Sequence, residues 1–360
     1  RDCEQVMGNR STYNAQGYTG DSVRVGGWHN ALSYDEEVHF RSVEYLRSVA
    51  RKSDDVPFML CASYHHPHEP FLPPQEYWDL YEGTEIEIPE FPADLDKTYS
   101  LLDRNLNAYH GTRRCNLRDA DGLRRLRRAY YGLVTYMDDK VGELLDVLQE
   151  TGLADNTLVV FASDHGDMLC EKEMVQKRNF YEWSCRVPLL MRFPDGWKAG
   201  TTFATPVSLL DLLPTFCQLA GEEALLSHDG ENLLGLLENG TADRCVFAQA
   251  HEAVGVPCIM ARQGHFKYNY VHGNKDQLFD LETDPGEWNN LLEDAKYEEI
   301  STALRGKILQ RFDPERMADE NLESLYRRWY IRDVMRTNGT HWNHSPHFDA
   351  RKGALDQYLA

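Results

Sequence analysis

No apolar run in this 360-residue sequence approaches the ~20 residues that a helix needs to cross a bilayer, so no membrane-spanning segment is expected. No charged-then-apolar leader opens it. Positive charge is scarce: 38 Lys and Arg face 58 Asp and Glu, for a formal net charge of −20. Such a surface repels nucleic acid and anionic membranes, which leaves a small neutral or zwitterionic partner as the better fit. No CxxC pair occurs among the eight cysteines. Several stand in apolar runs, the pattern of buried free thiols in a reducing compartment rather than a disulfide framework. That favours the cytoplasm, although sequons at Asn9, Asn239, Asn338 and Asn343 keep a secretory route open. Internal repeats and low-complexity segments are also missing. The first residue is Arg1 and not Met, which reads as a processed product or a piece of something longer.

What is present is an ordinary globular composition, 42% hydrophobic and 27% charged. The length suits one large domain, or a domain with a smaller appendage. The clearest element is "LRRLRRAYYGLVTYMDDKVGELLDVLQETG", residues 123–152. Its apolar stripe at helical spacing ends at Gly152 and predicts a long helix. Residues 36–52 carry a similar period. "TLVVFAS", 157–163, predicts a β-branched strand, and "PFMLCASY", 57–64, and "VPLLMRF", 187–193, predict two more buried strands. Helix, short loop and buried strand in alternation is the pattern of a parallel sheet with helices on its faces. Residues 209–221 predict a helix. "CVFAQAH" and "HFKYNYV" alternate as antiparallel strands do, 278–292 reads as strand, turn and helix start, and 295–336 holds two more helical patterns. Residues 1–33 and the tail after 336 read as loop, as does the Pro- and Tyr-rich stretch 72–118. The arginines of 113–132 read as a solvated helix face and loop.

Three constellations can carry chemistry. Asp164 and His165 follow the strand 157–163 directly. At such carboxyl ends ligands collect, and a carboxylate with an imidazole can hold a hard divalent cation, Gly166 letting the backbone turn closely. The alternative is a helix cap after a strand. His65, His66 and His68 stand in "HHPHEPF", where two prolines forbid regular structure. They read either as a loop or as proton- and metal-handling groups at a second strand end. Lys177 lies thirteen positions past Asp164 and precedes the aromatic run "NFYEWS". It is either surface decoration or, with His68, a point charge for a tetrahedral oxyanion.

Taken in order, "YDEEV", "SYHHPHEPF", "AYYGLVTYMDDKVGELLDVLQETGLADNTLVVFASDHGDM", "FYEWSCRVPLLMRFP" and "LFDLETDPGEWNNLL" resemble the sulfatases of the alkaline phosphatase superfamily, and choline-sulfatase-like members most. The resemblance covers nearly the whole chain. It implies an α/β sandwich with a mostly parallel central sheet flanked by helices, and a smaller C-terminal antiparallel and helical subdomain. The expected division is a catalytic domain over 1–240 and a C-terminal part over 241–360. It implies hydrolysis of a small sulfate ester, such as choline sulfate or an aryl or alkyl sulfate, with one divalent metal, usually Ca²⁺, and a formylglycine nucleophile. Asp164 and His165 match metal ligands of the family; Lys177 and His68 match its sulfate-contacting lysine and histidine. Tyr181, Trp183 and Trp342 are candidates to face a cationic alcohol, against the alternative that each is core. A homo-oligomer is possible on this reading. Three family features have no match: no Cys or Ser stands in a C/S-x-P-x-R context, no early Asp-Asp pair follows an N-terminal strand, and no Gly-Lys motif with a following His occurs, "VGGWHN" at 25–30 not being one. The chain therefore reads as lacking the N-terminal part of a family member. A phosphomonoester or phosphonate-ester hydrolase on the same fold, and a non-catalytic truncated homologue, stay open as alternatives.

Overall fold

The computed structural model describes residues 14–52, 56–223, 227–239, 243–250 and 255–339. They fall into two compact units, one built from 14–97 and 110–239 and the other from 98–109 and 243–339.

The first unit is organised by two long helices, α1 (Asn30–Ala50) and α4 (Ala120–Glu150), with the short α2 (Gln75–Asp79) between them; α3 (Leu101–His110) falls almost wholly in the second unit. Of the predicted stripe of α4, Leu123, Leu126, Leu133, Met137 and Leu148 are buried; Ala129 and Tyr136 join them, whereas Val134, also expected inside, is 44% exposed. Asp119 caps its first turn by accepting from Gly122 N. Leu46 of α1 and Val147 and Leu148 of α4 enclose Phe58, Leu60 and Val159. A second apolar cluster gathers Tyr18, Phe71, Leu126, Leu133, Cys170 and Val175.

The expected strand 157–163 forms as β1 (Val159–Ala162) and 187–193 as β2 (Leu189–Arg192). They pair antiparallel, with Phe161 opposite Leu190. The parallel neighbours expected from the helix–strand alternation are not among the described residues. Residues 57–64 correct the sequence reading: they carry no strand ladder, although their exposure alternates with a period of two. Phe58 and Leu60 pack on the helices, whereas Met59 is 76% exposed. The side-chain pattern of a strand is there, but no hydrogen-bonding neighbour stands among the described residues. Phe161 and Leu190 are likewise open, at 40% and 60%.

α5 (Glu182–Cys185), α6 (Leu212–Leu219) and α7 (Leu233–Asn239) complete this unit. α6 lies inside the predicted span 209–221, its first residues forming a 3-10 turn capped by Ser208 and Asp211. The second unit is a four-stranded antiparallel sheet in the order β3 (Cys245–Ala250), β4 (Cys258–Gln263), β5 (Phe266–Val271) and β6 (Gln277–Asp280). β4 was not foreseen. α8 (Glu298–Arg311) covers this sheet through Leu304 and Ile308, and α9 (Pro314–Thr337) follows it. Lys267 of β5 and Glu287 form a fully buried ion pair at 2.9 Å. The loop expected over 72–118 is broken by α2 and α3, and the tail after 336 lies outside the described residues from 340 onward.

The arginines of 113–132 divide. Arg124 and Arg125 are exposed as expected. Arg127 is instead held in a half-buried ion pair with Glu171, and Arg128 lies 4.5 Å over the Trp78 ring. Of the seven described cysteines, four are partly buried, Cys170 and Cys258 are fully buried and Cys61 is exposed; all seven are free thiols.

Candidate active site

β1 delivers Asp164 and His165 at its carboxyl end. Asp164 Oδ1 accepts from His165 N at 2.9 Å, and Ser163 Oγ donates to His165 O at 2.8 Å. Together these bonds fix the bend. The Asp164 side chain is 84% exposed, and its Oδ2 stands 3.5 Å from His165 Nε2. Gly166 is required because a Cβ there would sit 2.1 Å from Trp183 O. Its N–H donates to Ser184 O at 2.8 Å, tying the bend to α5.

The chain then runs through a segment rich in left-handed backbone. Leu169, Cys170, Lys172, Glu173, Gln176 and Arg178 all have positive φ, a conformation that side-chain-bearing residues seldom adopt and that gathers where a site dictates the path. Tyr18 holds this segment from outside. Its hydroxyl donates to Asp167 Oδ2 at 2.6 Å and accepts from Gln176 N at 3.1 Å. Burial pushes the Asp167 carboxyl up to about 6, against the pull of the Tyr18 hydrogen bond.

Lys177 emerges from this segment and meets His68. Its Nζ lies 2.6 Å from His68 Nε2. His68 Nδ1 faces Glu69 O at 3.0 Å, so the ring donates through Nδ1 and receives the ammonium proton at Nε2. Burial lowers the His68 pKa, and the neighbouring Lys177 lowers it further. Lys177 is itself lowered, chiefly by burial, while Glu69 and Asp167 oppose the shift. The His68 and His165 rings stand 6.0 Å apart, centroid to centroid. The structure thus brings His68, Lys177 and His165 together, with Asp164 adjoining His165 along the chain.

Three neighbours escaped the sequence reading. Glu69 accepts from Gln176 Nε2, joining the His68 turn to the Lys177 segment. Glu69 stands within "HHPHEPF", where only the histidines drew notice. His110 is buried, its Nδ1 3.2 Å from Asn14 Nδ2. Burial, with Arg178 and Lys177 nearby, drives it down to about 3. Asp35 of α1 reaches the base of the histidine turn.

The aromatic candidates fare differently. Tyr181 is only 1% exposed, with the Lys172 ammonium 4.8 Å over its ring, so it is core. Trp183 is partly buried and closes on Gly166 with its backbone. Trp342 lies outside the described residues.

An oxygen ligand on an exposed carboxylate suits a hard cation, and the 3.5 Å between Asp164 Oδ2 and His165 Nε2 lets both face one ion. They supply part of a shell. Among the described residues, the grouping of three candidate ligand side chains is elsewhere, at His265, Asp280 and Glu282.

The chain has an alkaline-phosphatase-like fold. Solved structures agree. The phosphonate monoester hydrolase of Agrobacterium radiobacter superposes with a TM-score of 0.65 at 24% identity, over 81% of this chain and 63% of that one. A 2-O glycosaminoglycan sulfatase superposes at 0.65 and 23%, over 83% and 66%. These likenesses concern the fold alone. The family model described as Sulfatase matches residues 3–222, and that of the N-sulphoglucosamine sulphohydrolase C-terminal region matches 170–313. The chain belongs to the sulfatase family. It is 37% identical to the choline-sulfatase of Rhizobium meliloti (strain 1021) over 334 residues, 88% of this chain and 64% of that protein. With the arylsulfatase of Clostridium perfringens (strain 13 / Type A) it shares 29% identity, covering 78% of this chain and 59% of the other. The chain thus spans rather less than two thirds of the length of these relatives.

Proposed function

We propose that this chain carries the sulfate-facing part of a sulfuric ester hydrolase acting on a small sulfate ester. The observation that carries the reading is the 2.6 Å contact between Lys177 Nζ and His68 Nε2 beside the Asp164–His165 bend. A cation and a proton-handling imidazole in contact at a strand end meet the two needs of sulfate-ester cleavage. The ammonium offsets the charge spread over the sulfuryl oxygens. The imidazole supplies or relays a proton to the departing alkoxide. In this arrangement the Lys177 ammonium donates to Nε2. An incoming anionic ester competes for that ammonium; Nε2 carries no proton of its own here, and takes one from the Lys177 ammonium or from solvent before it donates to the leaving oxygen.

Asp164 and His165 would hold a divalent cation, for which Ca²⁺ is the expectation, and the ion would supply Lewis-acid charge at the sulfuryl group. The formylglycine that the family's chemistry calls for has no matching motif among this chain's cysteines and serines. What these residues contribute is the binding and orientation of the ester and the handling of the leaving-group proton. The acidic surface, at −20, suits a cationic or zwitterionic ester such as choline sulfate better than a sulfated polysaccharide. The identity with a choline-sulfatase supports the same choice.

The test compares hydrolysis of choline sulfate, 4-nitrophenyl sulfate and a phosphonate monoester by this chain alone and by a form extended upstream. The expected result is no turnover by the 360-residue chain and metal-dependent turnover by the longer form, with kcat/KM higher for the sulfates. A preference for the phosphonate would transfer the reading to a phosphonate-ester hydrolase. No turnover by any extended form would make the chain a non-catalytic homologue.

A further inference from the structure

We propose that Asp35 is a positioning residue for His68, pinning the histidine turn through one buried carboxylate; this rests on the role proposed for His68. Asp35 stands in the second turn of α1 and is fully buried. A buried carboxylate is costly unless several donors meet it. Here three do, and all come from the first two residues of the turn. His65 N donates to Oδ1 at 2.6 Å, His66 N donates to Oδ2 at 3.1 Å, and His66 Nδ1 meets Oδ2 at 2.5 Å. Burial alone would raise the carboxyl pKa. The His66 ring and the two backbone N–H groups more than offset that and hold it below the usual range.

The His66 ring is wholly buried as well and packs edge-on against His29 and Tyr136, at 5.6 and 5.7 Å between centroids. With Asp35 it serves as an anchor. The turn then closes on itself. His68 N donates to His65 O at 3.2 Å, and the His65 ring reaches Glu69 O at 3.1 Å through Nε2. His65 and His68 rings lie 4.9 Å apart. Moving His65 therefore moves His68. The far end is held by the Glu69–Gln176 hydrogen bond, so the turn is fixed at one end to α1 and at the other to the Lys177 segment. The hydrogen bonds of Asp35 go to His65 and His66. Its effect passes through the backbone of the turn.

The experiment uses histidine-selectively ¹⁵N-labelled 360-residue chain carrying Met59→Lys and Leu190→Lys to limit association, in which the His68 ring signals are assigned by loss in His68→Gln. Asp35→Asn keeps one acceptor oxygen and turns an amide N–H toward the donors. The expected result is a displaced or broadened His68 signal at a temperature where circular dichroism shows the variant folded. In a form that supports turnover, kcat per folded molecule should fall about tenfold to a hundredfold with KM nearly unchanged, the signature of a misplaced group. A lower Tm with wild-type His68 signals and wild-type kcat would overturn the proposal and leave Asp35 a stabilising residue only. If Asp35→Asn does not fold, Asp35→Glu keeps the charge but moves the acceptor by one methylene, and the same His68 readout decides. The two readings fail separately. If His68→Gln costs no activity, the assigned function is at fault, whereas an unmoved His68 signal in both Asp35 variants sinks the positioning role whatever the activity.

Discussion

The Lys177 ammonium and the His68 imidazole meet at 2.6 Å, nitrogen to nitrogen, although 109 residues separate them in sequence. Two groups that could each carry positive charge share one proton across that gap. Lys177 lowers the His68 pKa. Lys177→Met should therefore raise the pH at which His68 titrates, followed by NMR. In a form that turns over, the same substitution should cost about 10²–10³ in kcat, as loss of one electrostatic partner at a developing charge does. A His68 titration at unchanged pH would show that the contact is not formed in solution.

Gly166 makes a second, purely steric prediction. An alanine Cβ would fall 2.1 Å from Trp183 O, which belongs to the backbone of α5 and cannot rotate away. Gly166→Ala should destabilise by about 1–3 kcal/mol, the range for overpacking. It should also shift the Asp164–His165 bend. Urea midpoints measure the first effect and a structure of the variant the second.

Acid stability turns on His110. Its folded pKa, about 3, lies below the ordinary 6.5. The neutral ring stabilises the fold above pH 6.5, and that contribution is lost as pH falls toward 3. The slope is about 1.4 kcal/mol per pH unit while only the unfolded chain binds the proton. Asp167, raised to about 6 from 3.8, acts in the opposite sense, its contribution growing as pH falls from 6 to 3.8. Taking the difference between wild type and His110→Asn cancels the Asp167 effect. That difference in unfolding free energy should shrink steadily between pH 6.5 and 4. A flat difference would mean that His110 is not buried neutral.

The open sides of β1, β2 and 57–64 predict association. Met59, Phe161 and Leu190 are 76%, 40% and 60% exposed. Apolar residues at a short, uncovered strand pair template contacts between copies. Light scattering after size exclusion should find the 360-residue chain aggregated or oligomeric, with Met59→Lys plus Leu190→Lys reducing it. A clean monomer would overturn the expectation.

The sequence was legible where one period dominated. The α4 stripe and the β1 and β2 runs stand within three residues of their expected bounds, the helix because one buried face sets it and the strands because each is a short apolar run between polar flanks. β4 was missed because "CIMARQ" lacks the alternation that marks its neighbours; four of its residues in a row are buried. The strand pattern at 57–64 was real as a pattern, yet side-chain alternation reports which face is covered and says nothing of a backbone partner. At the site, the charged types that resemblance pointed to could be named in advance. Glu69, Gln176 and Asp35 could not, since their importance lies in which backbone groups they meet across the fold.

Tyr18 joins Asp167 across 149 residues. Closing so long a loop is entropically costly, and the cost must be met before the contact gives anything back. Its hydroxyl also receives Gln176 N, beside the lysine that faces His68. Hence the backbone around Lys177 cannot settle until the earliest described segment has docked. Refolding should show this as an order of events, with α4 protected from hydrogen exchange early and the amides of 167–178 late. Nascent chains would acquire their helical scaffold well before anything resembling a competent anion site.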